Sequence, residues 1–141
     1  MILLDTNVLS ELMKPAPELA VIQWLDAQLD SQVFLPAITK AEIELGIALL
    51  PHGKRKDTFT RMAEALFDEF RDRILPFDAG TTSYYANLVA IARKAGHAIS
   101  VEDAQIAAIT QANRLTLATR NTKDFDFVPD LLLINPWQVA V

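Results

Sequence analysis

The sequence predicts an α/β fold of three layers, a central parallel sheet of about five strands flanked by helices. Short β-rich runs alternate with longer amphipathic ones along all 141 residues. Strands separated by helices need crossover connections, which join parallel strands. The runs Val33-Phe34-Leu35 and Leu131-Leu132-Leu133-Ile134 lack apolar–polar alternation and read as strands buried on both faces.

Taken in order, Ile2–Leu4 is a short apolar run read as the first strand. Beyond Pro15 and Pro17, the residues Leu19, Ile22, Leu25 and Leu29 form an apolar stripe at helical spacing. Residues 33–38 read as the second strand. Thr39 then opens a helix carrying Ile43, Ile47 and Leu50 on one side, stopped by Pro51-His52-Gly53. Phe59, Met62, Ala63, Leu66, Phe67 and Phe70 give the cleanest amphipathic helix in the chain. Residues 74–77 are a short strand. Residues 81–95 are helical, with Tyr84, Leu88, Ile91 and Ala95 on one stripe and Gly96 as a C-terminal stop. Ser100 caps a further helix to about residue 113. Strands at 115–119 and 131–134 complete the pattern, with no internal repeat or linker.

Length and composition narrow the function classes. Hydrophobic residues make up 51% and charged residues 22%, which suits one domain over 1–141 with a core that needs no staples. The many Leu, Ile, Val and Phe residues exclude disorder. There is no Cys, hence no disulfide, thiolate metal site or Cys nucleophile. That suits a reducing cytoplasm, the expected location. No apolar run approaches the ~18 residues that span a bilayer, so no membrane is expected. Met1-Ile2-Leu3-Leu4 has no basic leader and is interrupted by Asp5, so it is not read as a signal peptide. Asp plus Glu number 18 against 13 Lys plus Arg, a net charge of −5. Such a chain suits charge-driven nucleic-acid binding poorly, but acts on a phosphate substrate if a cation bridges the two.

In parallel α/β sheets ligands bind beyond the carboxyl ends of the strands. Asp5-Thr6-Asn7 follows the first strand and Thr39-Lys40-Ala41-Glu42 the second. Glu102 and Asp103 lie in the first turn of the helix opened by Ser100. Thr119-Arg120-Asn121 ends the fourth strand, with Asp124 three residues on. Four Gly residues supply no phosphate loop, no Ser sits in a nucleophile elbow, and His52 and His97 lie in loops elsewhere. What remains is carboxylates and amides converging on one sheet edge. Crowded carboxylates repel one another unless a cation is present, and a hard divalent ion such as Mg²⁺ or Mn²⁺ prefers oxygen ligands. A cluster of Asp5, Glu42 and Asp103 therefore makes physical sense mainly as a metal site.

Each of these residues has a plainer role open to it. Asp5 caps the following turn. Thr39-x-x-Glu42 forms a capping box, and Ser100-x-x-Asp103 a weaker one. Asn121 is an ordinary turn residue, and Asp124 caps a short turn.

With these residues in view, the sequence resembles a PIN domain, and more narrowly a VapC-type toxin of the FitB-like branch from bacterial toxin–antitoxin systems. The likeness rests on Met1-Ile2-Leu3-Leu4-Asp5-Thr6-Asn7 and Ala37-Ile38-Thr39-Lys40-Ala41-Glu42-Ile43-Glu44-Leu45-Gly46. It continues through Asp103-Ala104-Gln105-Ile106-Ala107-Ala108, Leu117-Ala118-Thr119-Arg120-Asn121-Thr122-Lys123-Asp124-Phe125 and Asn135-Pro136-Trp137. It implies a PIN-like fold and a metal-dependent endoribonuclease that hydrolyses RNA phosphodiesters with Mg²⁺ or Mn²⁺. Asp5, Glu42, Asp103 and Asn121 would be the catalytic positions and Asp5 and Asp103 the direct metal ligands. Glu42 would complete the pocket or hold a metal-bound water. Thr6 and Thr119 would support from behind. Many relatives carry Asp where this chain has Asn121, which leaves one or two metals open and Asp124 as the alternative fourth acid. A homodimer and a cognate antitoxin are implied as well, in an assembly of open size. The antitoxin would block the site with its own chain.

Lys54-Arg55-Lys56, Arg93, Lys94 and Arg120 are candidate RNA contacts, the first run reading also as a solvated loop before a helix. Two other readings compete. A phosphoacceptor receiver domain would use Asp5, Asp78 and Thr119, although Asp78 also reads as a helix cap, and it lacks an acidic pair after the first strand. A catalytically weak PIN binding module is the other, because of Asn121. The target RNA and its cleavage site are not legible.

Overall fold

The computed structural model describes residues 1–139, so the last two residues of the 1–141 unit lie outside the described residues. Five parallel strands form one sheet in the order β3-β2-β1-β4-β5. They are β1 (Ile2–Leu4), β2 (Val33–Pro36), β3 (Ile74–Leu75), β4 (Thr116–Ala118) and β5 (Leu132–Ile134). Six helices connect them: α1 (Thr6–Leu12), α2 (Leu19–Asp26), α3 (Ala37–Ala48), α4 (Lys54–Glu69), α5 (Thr82–Lys94) and α6 (Val101–Ala112).

The three layers follow from the pleat of the central strand. Neighbouring side chains on a strand point to opposite faces. Leu3 and Leu4 are both fully buried, yet they belong to different cores. Leu4 joins Val8, Leu9, Trp24 and Ile43 from α1, α2 and α3. Leu3 joins Leu88 of α5, Ile106 and Ile109 of α6, and Leu117 of β4. Burying each such side chain contributes roughly 1.5–3 kcal/mol, so one short strand anchors both helical layers. Among the described residues no helix is long and apolar enough to cross a membrane.

Several expectations are corrected. The seven-residue α1 escaped the sequence reading because its polar opening, Thr6-Asn7, masks the buried Val8 and Leu9. The stripe assigned to α2 is misplaced: Leu19 is 64% exposed, Leu29 lies beyond the helix end, and Val21 and Trp24 face the core instead. On α5 the buried positions are Leu88 and Ala92, while Tyr84 and Ile91 are exposed. β5 is not buried on both faces. It is an edge strand, with Leu132 63% exposed. β2 ends at Pro36 and runs straight into α3, so Thr39 lies inside the helix and the Thr39–Glu42 capping box does not form. Asp78 does not cap α5. Its carboxylate accepts from the Gly80 N–H at 3.1 Å in a local turn. Gly96 does stop α5: it sits at φ +73, a conformation that favours Gly, with the His97 N–H donating back to the Ala92 carbonyl.

The strand order also excludes the receiver reading. Receivers carry the order 2-1-3-4-5, whereas here β1 lies between β2 and β4. The order reverses between β1 and β4, and a crevice opens at the carboxyl ends of strands at such a switch point.

Candidate active site

Asp5 is the first residue after β1 and Thr119 the first after β4. The Asp5 N–H donates to the Ala118 carbonyl at 2.9 Å, continuing the ladder one step past the strand. Asp5 is 4% exposed, and both its carboxylate oxygens are held. Oδ1 accepts from the Thr6 N–H at 2.8 Å, capping α1. Oδ2 accepts from the Thr119 hydroxyl at 2.7 Å and from Asn7 Nδ2 at 3.1 Å. The cap reading and the site reading of Asp5 are therefore compatible. Burial raises the Asp5 pKa above its ordinary value, and the donors from Thr119, Thr6 and Asn7 oppose that rise.

Glu42 projects from the second turn of α3, where its Oε1 accepts from the Thr6 hydroxyl at 2.7 Å. The Thr39 hydroxyl, fully buried, donates to the Leu4 carbonyl at 3.3 Å and so ties α3 to the end of β1. Asp103 comes from the opposite helical layer. Ser100 caps α6, its hydroxyl accepting from the Asp103 N–H at 3.0 Å, as the sequence predicts. The Asp103 pKa is raised from 3.8 to about 6, by burial first and then by the Asp5 charge, with Asp124 and Glu42 adding to it. The Ser100 hydrogen bond pulls the other way.

Asp5, Glu42 and Asp103, which come from three separate elements, line one open cleft of about 400 Å³. Asn121 is at its edge, with its N–H donating to the Thr119 hydroxyl at 3.1 Å. Asp124, exposed on a 3₁₀ turn at Thr122–Asp124, is not part of the lining and acts through its charge on Asp5 and Asp103. Of the basic candidates, only Arg120 reaches the cleft. Lys54, Arg55 and Lys56 form the first turn of α4, where Lys56 Nζ donates to the carbonyls of Ala48 and Leu50. Arg93 and Lys94 lie in the last turn of α5.

Five lining residues, Asn7, Ser10, Glu11, Lys14 and Trp137, have no role assigned from sequence, and two of them, Asn7 and Glu11, are held in defined contacts. Asn7 is a strut: it donates to Asp5 and accepts from the Arg120 N–H at 3.0 Å. Its place two residues after Asp5 was the available signal. Glu11 is 3% exposed, ion-paired with Lys14 at 2.9 Å and accepting from the Glu18 N–H at 3.1 Å. Those bonds hold its pKa below the ordinary value. The local sequence offers one signal, the Glu11–Lys14 pair at i,i+3, but not the burial or the Glu18 N–H that make the site.

The donor set is all oxygen, and the charges of Asp5 and Glu42 raise the Asp103 pKa. Both facts suit a hard divalent cation. Among the described residues no three His, Cys, Asp or Glu side chains gather closely enough to enclose an ion. An ion such as Mg²⁺, which takes one or two protein carboxylates and keeps several waters, does not require such a three-carboxylate cage.

The sequence model of the PIN domain family matches residues 2–131. Toxin FitB of Neisseria gonorrhoeae is 44% identical over 138 residues, covering 97% of this chain and 99% of that protein. VapC ribonuclease Y4jK of Sinorhizobium fredii is 43% identical over 141 residues, covering 99% and 100%. The crystal structure of FitAcB from N. gonorrhoeae superposes with a TM-score of 0.91 at 42% identity, over 99% of this chain and 100% of that one.

Proposed function

The chain belongs to the PIN domain family, in the branch of FitB and the VapC proteins, and on that premise we propose that it is the toxin of a toxin–antitoxin pair. Its activity is that of a Mg²⁺-dependent endoribonuclease, with Mn²⁺ as a substitute. The observation that carries this reading is the meeting of Asp5, Glu42 and Asp103 in one cleft at the sheet's switch point. Support also comes from Y4jK, whose name is that of a ribonuclease, and from FitB, whose name is that of a toxin.

Asp5 and Asp103 would hold the ion. The chemistry an ion held there would supply is positive charge and Lewis acidity beside the RNA phosphate. Asp5 enters already oriented, since Thr119, Asn7 and the Thr6 N–H fix its carboxylate. Such supporting contacts set a ligand's direction and are typically worth about 10–100-fold in affinity or activity. Glu42, steadied by Thr6, orients the attacking water and accepts its proton. Water's oxygen forms the new P–O bond, the bond to the leaving nucleotide oxygen breaks, and that oxygen takes a proton from solvent. Asn121 offers an amide at the fourth position and adds no charge. The whole chain works as one PIN unit in a homodimer, bound by a cognate antitoxin, and the net charge of −5 suits a basic partner.

The test is cleavage of RNA with Mg²⁺, with and without EDTA. Asp5→Asn and Asp103→Asn are each expected to stop cleavage, as is EDTA. Activity that survives both substitutions defeats the proposal.

A further inference from the structure

A polyanion nearing a floor of Asp5, Glu42 and Asp103 is repelled, so the rim has to supply positive charge. Two cations stand there, Lys14 and Arg120. Lys14 is engaged by Glu11. Arg120 forms no salt bridge among the described residues. Its guanidinium instead lies 5.0 Å from the ring centroid of Trp137, which lines the same wall.

This pair is held in place. The Arg120 N–H donates to Asn7 Oδ1 at 3.0 Å, and the Arg120 carbonyl accepts from Asn135 Nδ2 at 3.4 Å. Asn135 Oδ1 also accepts from the Trp137 N–H at 3.0 Å. Asn7 donates to Asp5 as well, so the platform and the first acid share one strut. The Trp137 indole N–H is buried with no acceptor among the described residues, so no side-chain hydrogen bond is what holds the ring against the wall. A guanidinium plane backed by an indole is a surface on which an unpaired base stacks, and its N–H donors remain open to a phosphate oxygen.

We propose that Arg120, laid on Trp137, is a substrate-positioning platform that grips the phosphate beside the scissile bond and stacks the base of that nucleotide. It selects single-stranded RNA, because base faces in a duplex are already occupied. This rests on the nuclease reading above.

Trp24 and Trp137 are the only two tryptophans, and Trp24 is buried in the core. In an Asp5→Asn, Trp24→Phe background, Trp137 is the sole indole and the RNA stays intact. Binding of labelled RNA, followed by anisotropy in Ca²⁺ buffer, reports total affinity, while Trp137 fluorescence reports stacking at this wall. Single-stranded RNA is expected to quench Trp137, and a duplex of the same sequence to leave it unchanged. Arg120→Ala should weaken single-strand binding about tenfold and lower the slope of log K against log salt by ~0.7. Arg120→Lys should keep that slope and lose the quenching. In the cleavage-competent chain, Arg120→Ala should raise KM more than it lowers kcat. RNA binding without quenching, or with wild-type affinity in Arg120→Ala, overturns the platform and leaves the nuclease standing. Absence of both binding and cleavage overturns the two together.

Discussion

Replacing Asp103 by Asn should stabilise the metal-free protein at neutral pH. The Asp103 carboxyl is pushed from its ordinary 3.8 up to about 6 by burial and by the Asp5 charge. Ionising it in the folded state therefore costs up to about 3 kcal/mol at pH 7.5, at ~1.36 kcal/mol per tenfold change. The cleft is open and its charges are screened, which leaves about 1 kcal/mol. Because the folded pKa lies above the unfolded one, the folded state binds the extra proton between pH 4 and 6. Wild-type stability then falls as pH rises through that window and is level above it. The amide of the Asp103→Asn variant has no proton to lose, so its profile is flatter. In EDTA at pH 7.5, Asp103→Asn should melt about 3–4 °C higher than wild type, and the gap should close towards pH 4. Thermal unfolding followed by circular dichroism across pH 4–8 measures both. A variant that melts lower at pH 7.5, or a gap independent of pH, refutes the reasoning. Adding Mg²⁺ should raise the wild-type melting temperature and leave the variant nearly unmoved.

Other expectations follow from the same contacts. Thr119→Val keeps the shape but removes the hydroxyl shared by Asp5, Asn7 and Asn121; cleavage should fall about 10–100-fold at saturating RNA while the protein remains folded. Glu11→Gln should lower the melting temperature at pH 7. The Glu11 pKa is depressed, so that loss should disappear as pH falls through its folded value. Arg73→Ala removes donors to the carbonyls of Asp30, Val33 and Glu69, which join α4 to β2; chemical denaturation should show about 2 kcal/mol lost.

Much of this architecture is legible in the residue pattern, and the exceptions have identifiable physical causes. Phe59, Met62, Ala63, Leu66, Phe67 and Phe70 mark α4 because it packs along a single stripe against one core. Leu131-Leu132-Leu133-Ile134 looks equally buried, yet neighbours decide burial, and β5 has a strand on one side only. The capping box at Thr39 fails because α3 already begins at Ala37, and the Thr39 hydroxyl instead meets the end of β1, a contact 35 positions away that no local rule sees. Asp5, Glu42 and Asp103 are legible through their places at strand ends and in the opening turns of helices, and they do share a cleft. Their supports are harder to find. Asn7 and Glu11 each have one partner close in sequence, Asp5 and Lys14, but the Asn7 contacts with Thr119 and Arg120 and the burial of Glu11 are set by the fold.

The hydrogen bond from Thr119 to Asp5 spans 114 positions. β1 leaves the ribosome early, but β4, its neighbour in the finished sheet, emerges more than a hundred residues later. Until then Asp5 lacks its hydroxyl donor and the Asp103 side of the crevice does not exist. The crevice is thus a late product of the chain: no stretch ending before β4 can assemble it.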